Sequence, residues 1–283
     1  MDQSKHHHAE APRSARTNVS ALTRPAVTAP LGGRADLLPR APAQARPIRS
    51  APQVNKLFDL RSRGAKSLKF PKARDVVVHG GHSNCVYFNH DGWLARYKIL
   101  RRGSRQIVDF ILPGQIFGVP ACLFQHAPYS VLTITETTVS AIPFDIVDHV
   151  FERDPALADA LFRSVVQEAA ILGEHLIDTG RRSAYERVSH LLLELLVRLN
   201  RTPLASGMTL SIPLTQELIA DALGLTAVHV NRTLRALRED KLIAMDGRSI
   251  TIMDFDKLSL LSDFEKSYLG QACRLEPYAS LIR

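Results

Sequence analysis

Residues 214–237 carry two short apolar stripes on either side of Gly224, and few backbone arrangements can bury both. Leu218, Ile219, Ala222 and Leu223 recur at helical spacing in the first stretch, and Val230, Leu234 and Leu237 in the second. Ala220 and Gly224 are small where two such helices would cross and turn. Thr226 stands where an N-cap belongs, its hydroxyl placed to accept from free backbone N–H groups, so the second helix is predicted to begin at Ala227. Ala227, Val228, His229, Asn231 and Arg232 then face outward, with Arg235 and Arg238 further along. An ordinary helical hairpin shares part of this pattern, and the next stretch separates the two. Leu242–Met245 and Ser249–Ile252 read as strands around an Asp246-Gly247 turn, with Arg248 at its edge. The whole is a winged helix-turn-helix, whose second helix suits base edges in the DNA major groove.

Composition excludes several other classes. A chain of 283 residues with 45% hydrophobic content can bury two modest cores. No run approaches the ~18 apolar residues that a membrane helix requires, so no membrane is expected as a partner. Cys85, Cys122 and Cys273 are odd in number and far apart, which speaks for a reducing compartment, the cytoplasm, without a disulfide framework.

The net charge of +8 is weak support for nucleic-acid binding, because of where it lies. Residues 1–56 hold nine Lys or Arg against Asp2, Glu10 and Asp36, which is most of the excess. Residues 1–55 are rich in Ala, Pro and Arg without hydrophobic period, and read as a disordered, solvated tail that adds weak, salt-sensitive DNA affinity. His6-His7-His8 is too short to define a metal site.

From about residue 56 to 150 the texture is that of short strands. Val76–Val78 precedes Gly80-Gly81, and Cys85–Phe88 leads to Asn89-His90-Asp91-Gly92. Stretches 94–100 and 106–112 flank Arg101-Arg102-Gly103-Ser104 as a hairpin, and 130–135 and 139–142 supply two more strands. Many strands at short spacing predict a β-roll or barrel. From Pro155 the texture is helical: Leu157, Leu161, Val165, Ala169, Leu172 and Leu176 form a stripe able to face a second helix or the roll itself. Asp178-Thr179-Gly180 is expected to end this helix as a hinge, and 185–199 to form the next, with Val188, Leu192, Leu195, Leu196 and Leu199 on its apolar face.

Four segments in order give the chain a resemblance to the Crp/Fnr family of bacterial transcription regulators: Pro113–Gly118, Gly180–Val188, Leu223–Arg232 and Gly247–Ile252. The resemblance covers residues 70–256. It implies an α+β fold with an N-terminal jelly-roll similar to the cyclic-nucleotide-binding fold over 56–150, a dimerisation helix and hinge over 151–180, and a winged helix-turn-helix over 181–256. Residues 257–283 are left as a C-terminal extension. The implied protein is no enzyme but a homodimer that reads a palindromic operator in double-stranded DNA and acts with RNA polymerase. Leu161, Val165, Leu172 and Leu176 would form its dimer interface. Thr215, Gln216, Thr226 and His229 would meet the phosphate backbone, with Arg248 joining from the wing. Arg232 would read guanine and Asn231 adenine, and Arg235 would lie on the same face. Ala227 and Val228 stand where well-known members carry charged residues, so their half-sites do not transfer.

Members that bind a cyclic nucleotide hold its phosphate with a Glu after a Gly and with the Arg of an Arg-Ser-Ala triplet. Here Val119 follows Gly118, and the triplet reads Tyr129-Ser130-Val131. A buried phosphate without a partner costs several kcal/mol, so cyclic AMP binding is expected to be lost unless an Arg or Lys of another strand substitutes. The cysteines are too few for the four-thiolate iron–sulfur cluster of oxygen-sensing members. No cofactor is expected, and the effector is not identified by the sequence.

His79, His82, Cys85 and His90 have residue types that suit zinc, copper or haem iron, and define an alternative, a metal- or haem-responsive regulator. In a strand-turn-strand setting, residues three apart need not converge, and exposed turn histidines are the simpler reading. A cupin-like metalloenzyme is a further alternative. It lacks the His-x-His and following Glu that cupins share between Val76 and Ile142.

Overall fold

The computed structural model describes residues 65–124, 126–200 and 208–270. The basic tail of residues 1–55, with His6–His8, lies outside the described residues, as do residues 271–283 with Cys273.

The N-terminal part is a roll of two four-stranded antiparallel sheets. Strands β1 (Lys66–Phe70), β8 (Thr137–Pro143), β3 (Cys85–Asn89) and β6 (Ile116–Phe117) form one, and β2 (Asp75–Val77), β7 (Ser130–Thr133), β4 (Leu94–Ile99) and β5 (Arg105–Ile111) the other. Val77, Leu94, Ile111, Phe117, Val131 and Val139 fill the space between them. Gly92 is needed at the β3–β4 turn: its φ is +76°, and a Cβ there would stand 2.3 Å from the Glu136 carbonyl oxygen. Of these strands, β1 and the two-residue β6 have no counterpart among the strands expected from the sequence, and β1 shows why. Its pattern KSLKF is mostly exposed, leaving no apolar run to find.

The second sheet is buried on its other face as well. Trp93, Ala95, Tyr97, Ile107, Phe110 and Leu112 join one continuous core with Ile171, Leu191, Leu192 and Leu195. That is why the first four residues of β4, Leu94 to Tyr97, are all buried instead of alternating with solvent. After the short helices α1 (Val119–Leu123) and α2 (Phe144–Arg153) comes α3 (Pro155–Arg181), then α4 (Ala184–Leu199).

The expected break at Asp178-Thr179-Gly180 is absent: α3 runs through all three residues to Arg181. Asp178 and Thr179 each bond a residue one turn away. Asp178 accepts from Arg182 Nη1 at 2.8 Å, and the Thr179 hydroxyl donates to the His175 carbonyl at 2.8 Å. The junction sits at Arg182–Ser183 instead, where Ser183 and Glu186 form a reciprocal capping box.

The C-terminal part packs α5 (Gln216–Leu223) and α6 (Ala227–Glu239) on α4, followed by β10 (Ile243–Asp246), β11 (Ser249–Ile252) and α7 (Phe255–Ser262). A strand unforeseen in the sequence, β9 (Thr209–Ser211), pairs with β11 and makes the wing three-stranded. Asp246 lies opposite Ser249, so the two turn residues are Gly247 and Arg248, not Asp246 and Gly247. Gly247, at φ +56°, supplies the left-handed residue such a turn demands.

Candidate nucleic-acid interface

The helix pair is built from local capping. Thr215 caps α5, its hydroxyl accepting from the Leu218 N–H at 3.3 Å, and Thr226 caps α6 by accepting from the His229 N–H at 3.2 Å. Gly224, at φ +63°, ends α5 in the left-handed conformation and sets the angle between the helices. Val230, Thr233, Leu234 and Leu237 turn inward on α6. Arg187 of α4 fastens the pair from behind, donating through Nη1 to the Leu223 carbonyl at 3.1 Å. The Tyr185 hydroxyl holds the far end of α6 by donating to Asp240 Oδ2 at 2.8 Å; burial and this carboxylate push its pKa up to about 12.

What remains outside is one polar and basic face. Val228, His229, Asn231, Arg232 and Arg235 are exposed, Ala227 is half-buried, and Arg248 is exposed on the wing. The Asn231 amide donates to Gln216 Oε1 at 3.2 Å, which ties the outward faces of the two helices together. Arg235 is paired with Glu239 at 2.9 Å, whereas Arg232 has no ion pair among the described residues. A helix N-terminus capped by Thr226, with the guanidinium of Arg232 under two turns along and without an ion pair among the described residues, is a surface for an anionic polymer with readable edges.

This chain is 31% identical over 193 residues to the nitrogen fixation regulation protein FixK of Rhizobium meliloti, spanning 68% of this chain and 85% of the relative. The chain belongs to the Crp/Fnr family of transcription regulators. Residues 186–261 match the family described as the Crp-like helix-turn-helix domain, and residues 68–154 the cyclic nucleotide-binding domain. The transcriptional activator protein FnrL of Cereibacter sphaeroides is 30% identical over 67% of this chain and 77% of its own length. Among solved structures, FixK2 from Bradyrhizobium japonicum superposes with a TM-score of 0.64 at 27% identity, covering 70% of this chain and 96% of that one. As a Crp/Fnr protein the chain is a transcription regulator with a helix-turn-helix DNA-binding domain.

The sensor of this Crp/Fnr chain departs from a nucleotide pocket in one respect that the sequence reading left open. Val119 begins α1 and packs on the cluster around Val86 and Phe88, and Tyr129 is half-buried. The guanidinium nearby comes from another strand. Arg96 of β4, 5% exposed, pairs with Glu168 of α3. Burial works against its charge, but the Glu168 carboxylate, with Asp109 and Tyr129 adding to it, holds its pKa above the ordinary value. Nothing in the segment-by-segment reading marked Arg96. The available hint is that Arg96 lies between Ala95 and Tyr97 in the inner half of β4.

The four candidate metal ligands disperse. His90 bonds Ser140 Oγ at 2.7 Å, His82 faces His126 with ring centroids 4.3 Å apart, and Cys85 Sγ lies against Asn84 Oδ1 at 3.6 Å. Among the described residues no three His, Cys, Asp or Glu side chains are grouped to hold a metal ion. Only Cys85 belongs to a strand, at the start of β3, while His79 and His82 lie in the loop before it and His90 just past its end, so no common face gathers the four.

On α3 the predicted interface residues separate. Leu161 is buried within its own chain against Val86, Phe88, Ile116 and Ile142, and Leu172 is half-buried. Val165 and Leu176 are exposed, at 47% and 74%, and share that exposed side with Phe162, Val166 and Ile177.

Proposed function

We propose that this protein is a homodimeric, sequence-specific regulator that reads a palindromic operator through Arg232 and Asn231. Thr215, Gln216, Thr226, His229 and Arg248 position it on the backbone, with Ala227 and Val228 placed for thymine methyl groups. The observation that carries the reading is α6: capped at Thr226, exposed along one face, and bearing Arg232 without an internal partner. Dimerisation is supported by the exposed apolar side of α3, spaced by threes and fours like a coiled-coil seam. Phe162 replaces Leu161 in that seam. Two half-sites read together gain far more affinity than one.

The sensor, in this reading, does not take cyclic AMP, because Val119 and Tyr129 offer no charge and Arg96 is already neutralised by Glu168. The protein acts in the cytoplasm with RNA polymerase and catalyses no reaction. No helix among the described residues is long and apolar enough to cross a membrane. Selection of bound duplexes from random DNA, with and without a cell metabolite extract, tests the proposal. A two-fold symmetric consensus is the expected result, and recovery of no consensus would overturn it.

A further inference from the structure

The β4–β5 hairpin tip carries a charge that neither the fold nor the helix-turn-helix uses. Arg101 and Arg102 are exposed and have no ion pair among the described residues. They sit on a tight loop closed by the Leu100 N–H to the Ser104 carbonyl at 2.8 Å and by the Gly103 N–H to the Leu100 carbonyl at 2.8 Å. The base of the hairpin is fastened to the DNA-binding domain. Arg105 Nε donates to Asp221 Oδ2 at 2.7 Å, and Gln106 Nε2 donates to the Ala222 carbonyl at 3.1 Å. Both acceptors are on α5, whose N-terminus carries Thr215 and Gln216.

From these contacts we infer that the hairpin tip is an accessory DNA contact, in which Arg101 and Arg102 meet phosphates flanking the operator. The inference rests on the DNA-binding reading above. Arg101 lies four residues from Arg105, at most about 13 Å of extended chain, comparable with the ~12 Å length of an eight-residue helix such as α5. The tip therefore stays close to the helix that meets the backbone. Duplexes bent by 40–90° around a protein bring flanking phosphates up against its sides. A rigid loop with two unpaired guanidinium groups pays little ordering entropy to take them. Ile99 and Leu100, 60% and 52% exposed beside these arginines, make an acidic protein the competing occupant.

The test measures affinity against salt for two duplexes carrying the selected operator. One ends at the outer edges of the half-sites, and the other extends a turn and a half of helix further at each end. R101A/R102A is compared with wild type and with K69A/K72A, which removes the same charge at exposed positions of and just after β1. On the long duplex the R101A/R102A slope is expected to be shallower by about two per protomer. On the short duplex R101A/R102A should match wild type, and K69A/K72A should match wild type on both. Equal slopes for R101A/R102A and wild type on the long duplex overturn the inference. So does a loss seen only in transcription with polymerase present, which assigns the tip to a protein partner. Absence of sequence preference in wild type is a different failure and removes the DNA-binding reading itself.

Discussion

His175 of α3 lies with its Nε2 3.1 Å from Glu194 Oε2 of α4, while its Nδ1 faces the Val108 carbonyl of β5 at 3.0 Å. Both ring nitrogens thus point at acceptors, an arrangement that the doubly protonated imidazolium satisfies. Burial opposes that charge, but the Glu194 carboxylate outweighs it and raises the His175 pKa to about 9. For Glu194, burial likewise pushes upward, and His175 with Arg198 brings it down to about 2. One residue pair therefore joins the sensor's sheet, the long helix and the DNA-binding domain.

The pH dependence follows from these directions. A histidine whose folded pKa exceeds its ordinary value stabilises fully below about 6.5, and that contribution is lost as pH rises through about 9. The Glu194 contribution is present above its ordinary 4.5 and is lost as pH falls toward 2. Greatest stability from the pair is expected between those limits. For His175 the loss is on the order of 3 kcal/mol at most. Thermal unfolding followed from pH 6 to pH 9.5 should show Tm falling in wild type and nearly level in His175→Gln. A level wild-type profile would remove the imidazolium from the account.

Arg198 is the second element of the same network. Its guanidinium reaches Asp109 Oδ1 at 2.9 Å, Glu194 Oε1 at 2.8 Å, the Phe110 carbonyl at 2.6 Å and Gln115 Oε1 at 3.0 Å. Replacing it with Met leaves Asp109 and Glu194 buried without their shared cation, an expected loss of ~3–5 kcal/mol. Urea unfolding should show the lower midpoint. The Asp109→Asn/Arg198→Met double variant should recover part of it, and strict additivity of the two substitutions would show that they do not interact.

These buried charges mark the limit of what was legible in the chain. The helix-turn-helix, the β4–β5 hairpin and the α3 stripe rest on local periodicity and capping, which residues a few positions apart encode. Arg198 and Asp109 meet across 89 positions, and Arg96 and Glu168 across 72. No spacing rule connects such pairs. A partial signal did exist for α4. Its Leu191–Leu193 and Leu195–Val197 runs leave almost no polar side, as expected of a helix buried all round. Glu194 and Arg198, four apart within them, are placed to pair. The α3 break predicted from the low helix propensity of Asp178 and Thr179 does not form, because each side chain bonds a residue four positions away, Arg182 and His175.

The exposed side of α3 and its buried side predict opposite phenotypes. Val165→Glu with Leu176→Glu places charge in the proposed seam, and size-exclusion with light scattering should then report a monomer with an unchanged Tm at low protein concentration. Leu161→Glu buries a carboxylate beneath the roll, so it should lower Tm by several degrees before any change in association. A dimer that survives the paired substitution would move the interface off this helix.

Cyclic AMP at millimolar concentration should leave the Tm within error of the unliganded protein, since a ligand that binds only the folded state raises Tm by mass action. Glu168→Gln removes the carboxylate that neutralises Arg96. It should lower Tm and let inorganic phosphate or sulfate restore part of the loss, an effect absent in wild type. Stabilisation of wild type by cyclic AMP would show that the pocket opens despite the Arg96–Glu168 pair.

Arg232 and Arg235 sit one turn apart on α6, yet they should behave differently on DNA. Arg235 is bonded to Glu239 Oε1 at 2.9 Å, so it enters the interface partly neutralised and must break that bond to reach a phosphate or base. Arg232 is nearer the capped N-terminus and carries no such pair among the described residues. Arg232→Ala is expected to cost ~1–3 kcal/mol of specific affinity and to relax preference at one base pair of each half-site. Arg235→Ala should cost less and act on all sequences alike, as loss of a backbone contact does. Binding isotherms on the selected operator and on single-base variants distinguish the two. If Arg232→Ala left both affinity and base preference intact, direct readout would belong to Asn231 and its neighbours instead, and the operator would be read mainly through adenine and thymine edges.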